Sequence, residues 1–443
     1  MPRKTQIFCA STLYGAATLV AAIESDQFAV ADRRLLLVFN NSATPETTPA
    51  VDEMPGFASL SDHFDAVISW NEAIRPFHPG AWSPRNDDIP LLERYLRLLW
   101  DLGNDQVELA LESIQVNPAL TLAQLFTDAP VDVYADGLMS YGPTRNKLDP
   151  LVGTRVRRLL HLDLVPGLTP LLLTEFDVPA QVVPTAAFQK VMSRLADALP
   201  ELPALPDHAA LLLGQYLSAL SIISPEEEED LHVRMMRGAV GRGHRAIVFK
   251  PHPTAPARYS RALEAEADRL GVQLTVLDTP VLAEVLFEKA RPALVIGCFS
   301  TALFTASAFY DLPVASIGTE LMLERLTPYQ NSNRVPVALA DALLPNLDDR
   351  KGIAAIPADE LDGLVTTLGF TMQPQVNPRL RPATERYLTQ HFGPRTQRYF
   401  RRRRLTSLGL PGGFPERLAF VPRNPTARRV VRQARALRKA VRR

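Results

Sequence analysis

Residues 245–256 read RAIVFKPHPTAP. The β-branched apolar run stops at Phe249, a Lys-Pro-His-Pro loop follows, and a helical period begins in ARYSRALEAEADRLG (257–271), so the stretch predicts a strand, a stiff turn and a helix. The alternation continues downstream with strand VQLTVLD (272–278), helix VLAEVLFEKA (281–290), strand ALVIG (293–297), helix TALFTASAFY (301–310) and strand PVASIG (313–318). Upstream stand the strand ALLLGQ (210–215) and a helix start, Ser224-Pro225-Glu226-Glu227, with a cap, a proline at the first helical position and a glutamate three residues on. Strand and helix in strict alternation with short connections predict a doubly wound α/β domain with a parallel sheet.

The proline-marked joint LPELPALPDH (199–208) separates this domain from a first half built the same way. There QIFCAS (6–11), RLLLVFN (34–40), VELALESI (107–114) and VDVYAD (131–136) read as strands; AATLVAAIES (16–25), PLLERYLRLLWDLG (90–103) and LTLAQLFTD (120–128) read as helices. Residues 150–200 form three apolar patches between prolines and resist parsing. The expected architecture is two Rossmann-like doubly wound α/β domains, residues 1–204 and 205–394, facing across a cleft, with a basic helical tail over 395–443.

Apolar residues make up 46% of the 443 and charged residues 22%, which excludes a largely disordered chain. Two cysteines, Cys9 and Cys298, both inside apolar runs, supply neither a disulfide framework nor a metal-ligand spacing and suit a reducing, cytoplasmic compartment. The basic lead and apolar stretch at the N-terminus have the composition of a leader peptide, but Ser11, Thr12, Tyr14 and Gly15 interrupt the run, so it reads as a strand, a turn and a helix. No segment approaches the ~18 uninterrupted apolar residues of a membrane span. The net charge of zero conceals an asymmetry: residues 395–443 carry +15 and the first 394 carry −15. The end of that tail, VPRNPTARRVVRQARALRKAVRR, sets Val430, Val431, Ala434, Leu437 and Val441 among arginines, a pattern for lying on an anionic membrane surface as a peripheral protein. Binding to an anionic glycan fits it as well, whereas nucleic-acid binding would want interleaved aromatics, and none follows Phe420.

In open α/β sheets ligands bind beyond the carboxyl ends of the strands. Beyond VDVYA stand Asp136 and Gly137, a carboxylate able to act as a general base with a glycine expected to turn the chain sharply; a plain Asp-Gly turn fits equally. Beyond RAIVF stand Lys250, Pro251, His252 and Pro253, where two prolines would present one histidine with little freedom to a phosphate or a proton acceptor. Ser300 and Thr301 open a helix beyond ALVIG and offer hydroxyls and unpaired backbone N–H groups to a phosphate, or simply cap the helix. Gly214 and Gln215 beyond ALLL are compatible with close approach of a nucleotide. There is no Asp-x-Asp at a strand end, no phosphate loop of the GxxxxGK[ST] type and no GxGxxG, so a metal-independent chemistry is expected, with no cofactor.

Taken in order, Asp136-Gly137 within VYADGLMSYG, His252-Pro253 within IVFKPHP, and Ser300-Thr301 at the end of TPVLAEVLFEKARPALVIGCFSTAL resemble the three short motifs of bacterial polysialyltransferases and sialyltransferases of GT-B architecture. The likeness spans roughly residues 5–320. It implies an inverting glycosyltransferase that moves sialic acid, or a related acidic sugar, from a CMP-activated donor to a glycan hydroxyl. Asp136 would be the base; His252, Ser300 and Thr301 would hold the CMP phosphate. Lys250 and Arg145, each within a few residues of a motif, are candidates for the sugar carboxylate or the phosphate, and Glu284 for the cytidine amino group or a ribose hydroxyl. Two other readings keep their place: a GT-B enzyme with another nucleotide sugar, and a non-catalytic protein that binds an anionic glycan.

Overall fold

A computed structural model of the chain describes residues 2–199, 205–252, 258–277, 279–349 and 356–414. The first sheet has seven parallel strands, β1 (Lys4–Ala10), β2 (Arg33–Val38), β3 (Ala66–Ser69), β4 (Gln106–Glu112), β5 (Val131–Ala135), β6 (Val156–Leu162) and β7 (Ala180–Val183), in the spatial order β3-β2-β1-β4-β5-β6-β7. The second has five, β8 (Ala210–Leu213), β9 (Ala246–Lys250), β10 (Gln273–Val276), β11 (Leu294–Gly297) and β12 (Val314–Ser316), in the order β10-β9-β8-β11-β12. Each sheet reverses its winding once, between β1 and β4 and between β8 and β11, and that reversal opens a crevice at the carboxyl edge.

Parallel strands covered by helices on both faces must be apolar on both. In β1, Ile7, Phe8, Cys9 and Ala10 are all fully buried. Because side chains alternate along a strand, Phe8, Ala10, Leu36 and Val38 join the core beneath helix Leu13–Glu24, while Ile7, Cys9, Leu35 and Leu37 join a separate core on the other face. The first of these cores runs without a break into the second domain. Helix Thr185–Ala198 makes the join, packing on helix Leu13–Glu24 and on helix Ala283–Ala290, with the Phe188 ring 5.2 Å from Tyr14 and 5.8 Å from Phe309.

The expected capping box is present: Ser224 Oγ accepts from Glu227 N and Glu227 Oε2 accepts from Ser224 N, with Pro225 opening helix Pro225–Gly241. Three strands escaped the sequence reading: β3, β6 and β7. β3 and β7 are sheet edges, partly exposed and four residues long, so they lack a buried apolar run, and interior β6 sets Arg157, Arg158 and His161 among its apolar residues in the stretch that resisted parsing.

After helix Ala358–Met372 the chain crosses back to the first domain. The Gln373 side chain donates to Arg145 O, Asn377 Nδ2 to Thr174 Oγ1 (3.2 Å) and Arg379 Nη1 to Asp177 Oδ1 (2.9 Å). It then returns, and Tyr399 Oη and Arg398 Nε both lie 2.9 Å from Asp341 Oδ2, while Arg404 Nε donates to Thr371 O (2.7 Å). Residues 395–414 of the basic tail are thus packed into the fold; the amphipathic stretch from Val430 to Val441 lies outside the described residues. No helix among the described residues is long and apolar enough to cross a membrane.

Candidate active site

At the reversal of the first sheet, β4 and β5 end side by side, with Glu112 paired in register to Tyr134. β4 stops at Glu112 because Ser113 (φ 57°) and Ile114 (φ 46°) turn the chain out of the sheet through two consecutive left-handed residues, a conformation that costs a non-glycine residue about 1–3 kcal/mol. The Glu112 carboxylate accepts from Ser11 N (2.9 Å) and Ser11 Oγ (2.7 Å), tying the loop after β1 across the crevice. Asp136 follows β5 directly. The Tyr134 hydroxyl donates to Cys9 O (2.8 Å), and a methyl at Gly15 would meet that hydroxyl at 2.9 Å and Asp136 Oδ2 at 3.3 Å, so the first turn of helix Leu13–Glu24 lies bare against the aspartate. Burial, and secondarily the Glu112 charge, push the Asp136 carboxyl up to about 7, against the pull of its own backbone N–H. Burial raises Glu112 too, held back by the Ser11 hydrogen bonds.

At the reversal of the second sheet, Gln215 Oε1 accepts from Cys298 N (3.1 Å) and Phe299 N (2.9 Å), fixing the approach to Ser300. Ser300 caps helix Thr301–Tyr310 with its Oγ accepting from Ala302 N (3.3 Å), leaving the helix N-terminus facing the crevice. A methyl at Gly214 would come within 3.3 Å of Pro251 Cα, so the loop carrying His252 rests on bare backbone. Beneath it the buried Glu228 carboxylate accepts from Leu217 N, Ser218 N (2.9 Å) and the Tyr259 hydroxyl (3.1 Å); Tyr216, on the loop so held, stands 6.2 Å from the His252 ring. The His252 ring reaches solvent, yet the protein around it and then the Lys250 ammonium lower its pKa, with Glu228 opposing.

The two crevices face each other across a cavity of about 520 Å³, lined by Glu112, Asp136, Gly137 and Arg145 on one side and by Gly214, Gln215, His252, Ser300 and Thr301 on the other. The walls approach each other where a methyl at Gly137 would stand 3.3 Å from Thr301 Oγ1. The chain bends at Gly137 into the short helix Leu138–Tyr141, but with φ −134° it needs no left-handed conformation there, and the glycine serves close approach. Arg145 is half-buried, its backbone N–H donating to Gln115 Oε1 (2.7 Å), and it makes no ion pair among the described residues. One wall therefore presents a carboxylate that exchanges a proton near neutral pH; the other presents hydroxyls, a helix N-terminus and a histidine suited to an anion.

The alpha-2,8-polysialyltransferase family model matches residues 6–319. The chain belongs to that family. As a polysialyltransferase-family enzyme it is a glycosyltransferase, and membership implies CMP-sialic acid as donor and a glycan as acceptor. Its two facing Rossmann-like sheets are the GT-B arrangement. Similar solved structures include an α/β-galactoside α-2,3-sialyltransferase from Photobacterium phosphoreum (10% identity, TM-score 0.38, 77% of this chain and 96% of that one) and MurG from Acinetobacter baumannii (12%, 0.41, 90% and 98%). A UDP-glucosyltransferase from Polygonum tinctorium is also similar (12%, 0.40, 90% and 97%). No curated protein matches the sequence.

In this polysialyltransferase-family chain two of the expected site residues stand behind the cavity wall. Lys250 is half-buried, and burial lowers its pKa against the opposing charge of Glu284. Glu284 is 3% exposed, its Oε1 accepts from Thr305 Oγ1 (2.7 Å), and it braces the helix of Thr301 without lining the cavity. Pro253 lies outside the described residues. Glu112 and Glu228 were missed. Glu112 is the last residue of a strand at the point of reversal, the place to look, but VELALESI reads as one strand running past it.

Proposed function

We propose that the cleft carries out an inverting transfer in which Asp136 accepts the proton of a glycan hydroxyl as its oxygen attacks the anomeric carbon of CMP-sialic acid. The new C–O bond forms as the bond to the phosphate oxygen breaks, and its electron pair leaves on the CMP phosphate. His252, Ser300, Thr301 and the helix N-terminus receive that growing charge, with the proton of His252 available to the phosphate. Arg145, cationic and without an ion pair among the described residues, takes the donor's carboxylate. Gly214 and Gln215 shape the floor under the nucleotide. Residues 1–204 are then the acceptor domain and 205–394 the donor domain.

What carries this reading is the placement of a carboxyl pushed up to about 7 opposite the hydroxyl pair and histidine of the other domain. Attack from the Asp136 wall on a donor held at the other wall comes from the side opposite the leaving group. A thermal-shift comparison of CMP, CDP, UMP, UDP and GDP tests it. CMP should give the largest rise, about 2.7 kcal/mol at a hundredfold excess over Kd; a preference for UDP would overturn the donor assignment.

Glu112 sets the working range of the base. Glu112→Gln removes the like charge that helps to raise Asp136, so the acid limb of kcat/KM should move to lower pH by about one unit. An unmoved limb would mean that Glu112 acts only by holding Ser11.

We also propose that the basic segment past Phe414 attaches the protein to an anionic membrane surface. The full chain should float with phosphatidylglycerol liposomes and be released by about 0.5 M salt, and a chain ending at Phe414 should not float. Flotation of the shortened chain would remove the segment from this role.

A further inference from the structure

On the same carboxyl edge of the first sheet, the loops leaving β2 and β3 enclose a second cavity, about 510 Å³, nearly the size of the cleft. Its walls are built without a ligand. Asn71 Oδ1 accepts from Asn40 N (2.9 Å), Asn71 Nδ2 donates to Asn40 O (3.0 Å), Asn40 Nδ2 donates to Thr48 O (2.9 Å), and His78 Nε2 sits 2.9 Å from Ser42 O. Against this firm frame Phe77, 56% exposed, lines the cavity with its ring stacked on Trp82 at 6.0 Å and 19°. An exposed phenylalanine braced from behind by a tryptophan is a flat apolar platform with no core to fill.

We propose that this cavity is a remote acceptor subsite that binds an uncharged sugar segment of the glycan being extended; the assignment rests on the glycosyltransferase reading of the cleft. The Phe77 face suits the C–H face of a pyranose ring. Around it the carboxylates of Glu46, Asp52, Glu53 and Glu72 accept hydrogen bonds, as sugar hydroxyls require. The same four carboxylates against the single guanidinium of Arg75, itself 3.4 Å from Glu72, make the lining net negative and repel a phosphate or a polyanionic chain. Position agrees as well. From β5, which carries Asp136, to β2 is three strand spacings, about 14 Å, the span of a short oligosaccharide lying along the sheet edge.

The test uses the full chain and two probes of equal length, lacto-N-tetraose and an α2,8-linked sialic acid tetramer, titrated by calorimetry into wild type, Phe77→Ala and Glu72→Gln. Asp136→Asn is titrated beside them so that binding is read without turnover. The neutral tetrasaccharide should bind wild type and Asp136→Asn alike and bind Phe77→Ala about tenfold more weakly, with CMP affinity unchanged in Phe77→Ala. In turnover with sialylated acceptors, Phe77→Ala should raise KM for sialyl-lacto-N-tetraose about tenfold and leave KM for sialyl-galactose unaltered, because the disaccharide does not reach the cavity. Equal effects on both acceptors, or sialic acid tetramer affinity that falls in Phe77→Ala, would overturn the subsite. So would failure of lacto-N-tetraose, maltotetraose and cellotetraose all to bind. If CMP binds and turns over while these results fail, the cleft assignment survives and only the subsite is lost; if CMP does not bind, the titrations on Asp136→Asn still decide the cavity.

Discussion

Asp136→Asn should reduce kcat by about a thousandfold or more, with CMP affinity preserved, because the substitution removes the proton acceptor and leaves the opposite wall intact. The same protein should be more heat-stable than wild type at pH 8 and lose most of that advantage by pH 4. The sign follows from the raised pKa. Below the ordinary aspartate range the side chain is protonated in both folded and unfolded chains and costs nothing. As pH rises toward 7 the unfolded chain ionises freely while the fold resists, and above about 7 the fold holds a desolvated charge beside Glu112. Asparagine escapes that penalty. Allowing for the partial solvent access of Asp136, the gain is on the order of 2 kcal/mol, a shift of several degrees in Tm. An Asn variant that retains activity would remove Asp136 from the reaction; one that loses activity without gaining stability at pH 8 would show that its carboxyl is not raised.

His252→Ala should lower kcat/KM by about a hundredfold to a thousandfold and abolish most of the CMP thermal shift. The argument is electrostatic. The lowered pKa leaves the imidazole mainly neutral at pH 7, so a phosphate arriving beside it raises the pKa again and draws a proton into the site. CMP should therefore bind wild type more tightly at pH 6 than at pH 8, and His252→Ala should flatten that dependence. His252→Gln separates two roles, since its amide donates a hydrogen bond but no proton. It should recover part of the CMP affinity and little of kcat. If alanine at 252 leaves CMP binding and its pH dependence unchanged, the loop does not face the phosphate.

The sequence made a strand plain where its apolar run is unbroken and obscure where it is not, as at the edges β3 and β7 and at interior β6, where Arg157, Arg158 and His161 interrupt it. Phe8, Leu36 and Val133 lie in strands covered on both faces and stand in unbroken apolar runs, whereas Ala66–Ser69 and Ala180–Val183 are partly exposed and read as loop. Asp136, His252, Ser300 and Thr301 could be singled out because each stands within a few residues of the end of an interior strand, and the fold brings those strand ends to one cavity. Glu112 was hidden by the opposite circumstance: two left-handed residues end its strand, and neither Ser113 nor Ile114 advertises that conformation. Glu284 stood in the sequence as a candidate for the nucleoside, and its burial against Thr305 and near Lys250 comes from tertiary neighbours that the sequence does not display.

The displaced acidities of the cleft bear on calorimetry. Asp136 is pushed up to about 7 and His252 down from its usual value, so on facing walls the carboxyl becomes the weaker acid of the two, the reverse of their ordinary order. At neutral pH Asp136 stands near the middle of its titration, and an anion that seats between it and His252 carries protons into or out of the protein with it. Heats of nucleotide binding measured in a single buffer will then include the ionisation heat of that buffer. Only the value extrapolated to a buffer of zero ionisation enthalpy describes the contacts themselves, and the slope of the extrapolation counts the protons.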